Sequence, residues 1–118
     1  RHNPPEHVWE ALGRIDIALL PVDGSQHVMS FEMTAAIIER LKPKVVIPHH
    51  YHIWDVTTRG STLLPADSWV AAQPQSRQLD TYATSYLLSD LAEQSTTVDY
   101  VGDHVAFDKL AWRNGEID

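Results

Sequence analysis

The amino-terminal part of the chain alternates between helical periodicity and short apolar runs. The stretch from Glu6 to Leu12 follows Pro4-Pro5 and precedes Gly13, and these flanks predict a short helix. The apolar run from Ile15 to Leu20 is stopped by Pro21. A run bounded in this way is typical of a strand that is buried on both faces.

A second helix is predicted after the turn signal Asp23-Gly24-Ser25. Ser30 is a favourable N-cap, and Glu32 suits the first turn. Pro43, after Lys42, ends the helix. The apolar positions that recur on one helical stripe are Phe31, Ala35, Ile38 and Leu41.

A second apolar strand is predicted from Lys44 to Pro48. Strand, helix and strand over residues 15 to 48 have the length of one βαβ unit. We therefore expect the two strands to be parallel, with a right-handed crossover. The fold class that follows is α/β.

The second half of the chain gives weaker patterns. A polar and aromatic loop runs to about Pro65, after which Asp67 can cap a helix from Ser68 to Ala72. A further helix is predicted within Thr81 to Gln94, where the residues at helical spacing are Tyr82, Tyr86, Leu87 and Leu91.

A closing hairpin is predicted near the end of the sequence. Val98 to Val101 and Val105 to Phe107 flank Gly102-Asp103, which could form the turn. No repeat, low-complexity tract or linker interrupts residues 1–118. The chain is therefore expected to be a single α/β domain.

Composition narrows the classes of function. The formal charge is −7, from 16 acidic and 9 basic residues, which argues against nucleic-acid binding but not against a small anion in a local pocket. The absence of cysteine excludes disulfides, thiolate zinc sites and a cysteine nucleophile. No apolar run approaches the roughly 20 residues that span a bilayer, and no signal segment is visible. We expect no membrane association and a cytoplasmic location.

Histidines are concentrated directly after the second predicted strand, in Pro48-His49-His50-Tyr51-His52. Parallel α/β sheets place ligands beyond the carboxyl ends of their strands, and imidazole is a common metal ligand. If the backbone stays extended, His50 and His52 share one face and His49 points to the other. The alternative is a solvated loop in which histidines happen to cluster, since no H-E-x-x-H signature is present.

Three segments together resemble the second half of the metallo-β-lactamase superfamily. They are Ile15 to Gly24, the helix with Met29 to Leu41, and Pro43 to Tyr51. The resemblance is to the branch of ascorbate-6-phosphate lactonase and related hydrolases. In that branch a D-x-A-L-L-P strand leads through a helix to K-V-V-I-P-x-H-Y, whose histidine is the last metal ligand. That histidine corresponds to His50.

The resemblance implies that the chain is the C-terminal half of an αββα sandwich. The family's H-x-H-x-D-H motif, its next histidine ligand and its bridging aspartate are absent from this sequence. One histidine cannot hold a catalytic metal, which needs about three protein ligands. In the full-length protein two divalent metal ions, zinc or manganese, would activate water against an ester, lactone or phosphodiester of a small-molecule substrate. The isolated chain is expected to be inactive and to bind no metal tightly.

Other residues near the predicted strand ends are further candidates. His27 could contact substrate or be an exposed loop residue, and Asp23 is better interpreted as a turn former beside Gly24. Tyr51 could hydrogen-bond a substrate oxyanion or anchor the loop. His52 and Asp55 could orient His50.

The rival interpretation is a non-catalytic α/β module that acts through self-association or partner binding. If the sheet is apolar on both faces, the face that would meet the missing half stays open. Apolar patches of that size are seldom left exposed on a monomer. We therefore expect a homodimer or a larger homo-oligomer.

Overall fold

The computed structural model describes residues 3–25, 28–51, 63–81 and 83–102. Within these ranges helices and strands alternate along the chain. In order they are α1 (Glu6–Leu12), β1 (Ile17–Pro21), α2 (Phe31–Leu41), β2 (Val45–His49), α3 (Asp67–Ala71), β3 (Ser76–Gln78), α4 (Leu88–Ala92) and β4 (Thr97–Tyr100). None of these helices is long and apolar enough to cross a membrane.

The strands form one sheet in the order β1-β2-β4-β3, and every neighbouring pair is parallel. β1 and β2 pair along their full length, from Ile17 beside Val45 to Pro21 beside His49. This pairing confirms the α/β class and the parallel β1-α2-β2 unit. Because all strands run the same way, their carboxyl ends meet at one edge of the sheet.

One face of the sheet carries the hydrophobic core. Alternate strand residues on this face pack with α2 and α3 and are buried. The cluster is Ala18, Leu20, Val22, Ile37, Val46, Ala66, Trp69, Val70, Val98 and Tyr100. The two-residue period of a strand places all the members on β1, β2 and β4 on the same side.

The predicted helix α2 is confirmed, but its buried stripe is shifted. Ser30 caps it as expected, accepting a hydrogen bond from the backbone N–H of Met33 at 3.3 Å. Ala35, predicted to face the core, is exposed, while Thr34 and Ile37 are buried. Thr34 tolerates burial because its hydroxyl donates to the carbonyls of Ser30 and Pro21.

The expectation that β1 is buried on both faces is wrong. Ala18 and Leu20 are buried on the core side, but Leu19 on the opposite side is 63% exposed. β1 is an edge strand, and on that second face the segment before α4 lies over β4, where the Tyr86 hydroxyl donates to Asp99. The segment that covers β4 on this face therefore does not reach Leu19.

The helices of the second half differ from the predicted ones in their bounds: α3 has the predicted length but begins one residue earlier, and α4 fills only part of the range predicted for it. Asp67 is not the N-cap of α3: Ala66 occupies that position, and Asp67 lies in the first turn. α4 lies within the predicted range but begins only at Leu88, because Leu87 is extended and Tyr86 is held against the sheet by Asp99.

β4 corresponds to the first strand of the predicted hairpin. It is an inner strand, with β2 on one side and β3 on the other. The second hairpin strand, residues 105 to 107, lies outside the described residues, and its pairing stays a prediction. β3, in contrast, was not predicted, because Ser76-Arg77-Gln78 is polar throughout and all three residues are exposed.

Candidate functional site

The carboxyl edge of the sheet brings together the loops that follow β1 and β2. The backbone N–H of Val22 donates to the carbonyl of His49 at 2.9 Å, which extends the β1–β2 pairing into the loops. His49 is the last residue of β2, and its side chain is exposed. His50 follows directly, so this imidazole lies at the edge where parallel sheets place their ligand sites.

His50 has a left-handed backbone, with φ of 58°. Few residues other than glycine adopt this conformation, because it brings Cβ too close to the following carbonyl. The condition under which His50 and His52 would share one face, an extended backbone, is therefore not met at His50. The strict alternation that was to place His50 and His52 on one face does not apply, since the chain turns at His50.

Asp23 organises the loop after β1 and is fully buried. Its carboxylate accepts hydrogen bonds from the Ser25 hydroxyl at 2.5 Å, from Met29 N–H at 2.9 Å and from Val28 N–H at 3.3 Å. Burial raises the pKa of Asp23, but these hydrogen bonds outweigh it and leave the pKa below its ordinary value. The contacts agree with the interpretation of Asp23 as a turn former.

Tyr51 is held in place by two contacts with the end of β4. Its hydroxyl donates to the carbonyl of Gly102 at 3.4 Å, and its ring meets Tyr100 edge-on with centroids 5.5 Å apart. The Tyr100 hydroxyl in turn donates to Asp67 at 3.3 Å. These contacts support the anchor interpretation of Tyr51, and a role in substrate binding stays a prediction.

The remaining predicted site residues, His27, His52 and Asp55, lie outside the described residues. Within residues 3–25, 28–51, 63–81 and 83–102, no three His, Cys, Asp or Glu side chains come together in a group that could hold a metal ion. The described part of the chain therefore places His49 and His50 at the carboxyl edge of the sheet and does not by itself fit a catalytic metal.

A buried polar cluster on the second face of the sheet was not predicted. Asp99 of β4 has no exposed surface, and Arg77 of β3 donates to both of its oxygens, from Nε at 2.8 Å and from Nη2 at 2.7 Å. The Tyr86 hydroxyl donates to the same carboxylate, and burial together with that bond raises the pKa of Tyr86 to about 12. An aspartate inside the apolar run Val98 to Val101 was the available signal.

Sequence comparison finds similar proteins for the first half of the chain. The sequence model of the β-lactamase superfamily domain matches residues 1–50. A UPF0173 metal-dependent hydrolase from Nanoarchaeum equitans is 44% identical over 45 residues, and one from Pyrococcus furiosus is 47% identical over 45 residues. Each match covers 38% of this chain and 20% of the relative, so the chain matches about a fifth of the length of these curated relatives.

A solved structure extends the similarity through most of the fold. A protein from Thermotoga maritima, assigned to the Zn-dependent hydrolases of the metallo-β-lactamase superfamily, superposes with a TM-score of 0.65. The superposition covers 84% of this chain and 48% of that protein at 23% identity, which shows a shared fold. Together these matches support the resemblance of this chain to the metallo-β-lactamase superfamily, and the curated relatives over the matched segment are named metal-dependent hydrolases.

Proposed function

We propose that this chain supplies His50 as one metal ligand of a metal-dependent hydrolase, while the other ligands come from outside the described residues. The observation that carries the proposal is the left-handed backbone of His50 directly after the inner strand β2. Conformations that cost about 1–3 kcal/mol concentrate at functional sites, where surrounding structure holds them. The superfamily match also extends to residue 50.

The reaction class follows from the relatives, which are named metal-dependent hydrolases. The proposed substrates are esters, lactones or phosphodiesters, and the proposed metal is zinc or manganese. Imidazole suits zinc, and manganese accepts mixed nitrogen and oxygen ligands. A catalytic metal needs about three protein ligands, and the described residues bring no group of three together, so we propose that this chain alone is inactive.

The test uses the full-length protein that contains this chain. His50→Ala should remove most metal-dependent hydrolysis and lower the metal content per protein, since a lost ligand leaves the ion with too few protein donors. His49→Ala is the matched control. Its exposed side chain is removed, but the carbonyl that accepts from Val22 stays in place.

Three results decide the assignment. His49→Ala should retain most activity, and His52→Ala should be intermediate, at about 10- to 100-fold loss, if His52 orients His50. Normal hydrolysis without His50, or an essential His49, would contradict the assignment. Turnover by the 118-residue chain alone with added zinc or manganese would show that a complete site exists within it.

A second proposal, self-association, is favoured by the exposed leucines. Leu19 is 63% exposed on the open side of β1, and Leu87 and Leu88 are 67% and 75% exposed at the start of α4. Exposed apolar surface of this kind is often covered by another chain. We propose a homodimer or larger homo-oligomer, and light scattering of this chain at micromolar concentration should show it. A monomer would contradict this second proposal and leave the first untouched.

A further inference from the structure

A groove crosses the amino edge of the sheet, at the opposite end of β2 from His50. Two adjoining cavities of about 390 and 560 Å³ form it and share Gln73, Gln75 and Gln94 in their lining. Lys44 lies directly before β2, and His50 lies directly after it. The strand between them spans about 16 Å at roughly 3.3 Å per residue, so the groove is separate from the candidate metal-ligand edge.

The walls of the groove are joined by hydrogen bonds that do not need a ligand. The Oε1 atom of Gln75 accepts from the hydroxyls of Ser95 at 3.3 Å and Thr97 at 3.2 Å. The Nε2 atom of Gln94 donates to the carbonyl of Lys44 at 3.0 Å. Because its oxygen is engaged in this way, Gln75 is fixed with its amide N–H₂ as the group left to donate to a ligand.

Cations are concentrated in this groove although the chain is acidic overall. Three of the 9 basic residues line it, in a protein whose net charge is −7. Lys42 is paired with Glu39 at 3.7 Å, whereas the described parts of the chain give the Lys44 ammonium no acidic partner. The groove therefore has one positive charge that no carboxylate there balances.

Arg77 adds a fixed donor at the far end of the groove. The buried Asp99 carboxylate holds its Nε and Nη2 atoms, yet the side chain is 54% exposed. A guanidinium has five N–H groups, and a carboxylate bound along one edge leaves the outer N–H groups to face solvent. The pair with Asp99 thus orients Arg77 before any ligand arrives.

We infer that this groove binds a small anion through a carboxylate or phosphate group. Lys44 supplies the charge in the first cavity, Arg77 supplies oriented N–H donors in the second, and Gln75 lines both. The same chemistry would suit the acidic end of a small organic molecule. Binding of an anion in this groove needs neither a metal nor the proposed hydrolase activity.

The test follows backbone amide NMR signals of this chain during titration with inorganic phosphate and, separately, with succinate, at constant ionic strength. Saturable shifts are expected at Lys44, at Gln75 and over residues 94–97. The probe that saturates at the lower concentration identifies the preferred group. If neither probe saturates, or if the shifts are centred on His49 and His50 instead, the inference is wrong.

Substitutions identify the groove as the origin of the shifts. Lys44→Met keeps the apolar stem and removes the charge, and it should weaken binding by about tenfold, as expected for loss of one charged hydrogen bond. Lys44→Gln is the second variant in case Lys44→Met does not fold. Arg14→Gln is the matched control, because it removes an exposed cation outside the groove. Equal affinity in both Lys44 variants and the control would overturn the inference.

Discussion

The two edges of the sheet both contain residues with positive φ, but in different structural settings. At the amino edge, Gly13 with φ of 58° and Lys42 with φ of 46° each end a helix. At the carboxyl edge, Gly24, His50 and Gly102, with φ of 62°, 58° and 69°, each follow a strand within three residues. Helix ends commonly adopt the left-handed conformation of Lys42, and Gly13, with ψ of −139°, has a conformation that glycine tolerates best. Strand ends have no such general need.

Of these five residues, His50 is the one whose positive φ has no local explanation. Lys42 is explained locally, because its N–H donates to the carbonyl of Ile38 at 2.8 Å and closes the last turn of α2. Gly24 and Gly102 are glycines, which adopt positive φ at little steric cost. His50 is neither a helix cap nor a glycine. Its conformation must be imposed by the surrounding tertiary structure, and this is the basis of its proposed role.

The largest expected effect is a loss of stability on substitution of a glycine, and it is compared between one glycine at each edge of the sheet. Gly24→Ala would place a methyl group against the ring of Phe31 and within 2.9 Å of Leu64, at a positive φ. Gly13→Ala also meets a positive φ, but its methyl group has nothing within 4 Å. We expect Gly24→Ala to lower the free energy of unfolding by about 4 kcal/mol and Gly13→Ala by about 2 kcal/mol.

Urea denaturation of both variants measures this difference. Both substitutions are glycine to alanine, so they change the unfolded chain in the same way. The difference between the two losses in free energy of unfolding therefore reports packing at the carboxyl edge. Equal losses would show that this edge is no more tightly packed than the amino edge. The site would then have no rigid support from the loop after β1.

A smaller loss of stability is expected for substitution of Asp23, whose hydrogen bonds hold the loop after β1. Asp23→Asn should lower the free energy of unfolding by about 1–2 kcal/mol at neutral pH, because the carboxylate accepts three hydrogen bonds from Ser25, Val28 and Met29. The folded pKa of Asp23 is lowered. Its contribution is therefore complete above the unfolded pKa and is lost as pH falls through the folded pKa.

The pH dependence of stability tests the sign of this prediction. The stability gap between wild type and Asp23→Asn should narrow as the pH falls below the ordinary aspartate pKa of 3.8. Asp16→Asn is the control variant, because it removes an exposed ion pair with Arg14. Its free energy of unfolding should differ much less from that of the wild type. A gap at Asp23 that widens in acid would contradict the sign derived from its hydrogen bonds.

The region from β1 to β2 was predictable because its signals are local. Ser30 caps α2, Pro43 follows its end, and the apolar runs on either side have room for only one strand each. The superfamily resemblance also rests on this segment. Each of these features can be read from a few neighbouring residues, so tertiary context did not need to be known.

The parts that were missed depend on contacts between distant residues. β3 exists because Arg77 pairs with Asp99 across the sheet, 22 positions away in sequence. Tyr86 is kept out of α4 by its bond to the same carboxylate. The left-handed turn at His50 has no sequence signal, since glycine or asparagine would be the usual residue there. None of these follows from periodicity.

The smallest expected effect tests the two non-glycine residues with positive φ. Relief of left-handed strain, about 1–2 kcal/mol, exceeds the entropic cost of glycine, about 0.5–1 kcal/mol. Lys42→Gly should therefore raise the free energy of unfolding of this chain by about 0.5 kcal/mol in urea. His50→Gly gains the same backbone relief, but His50 takes part in a further interaction that the substitution can break, so its net gain should be smaller. In the full-length protein His50→Gly should also abolish metal-dependent hydrolysis. A His50→Gly variant that is both stabilised as much as Lys42→Gly and fully active would show that the turn at His50 is incidental, and the two edges would then differ only in packing.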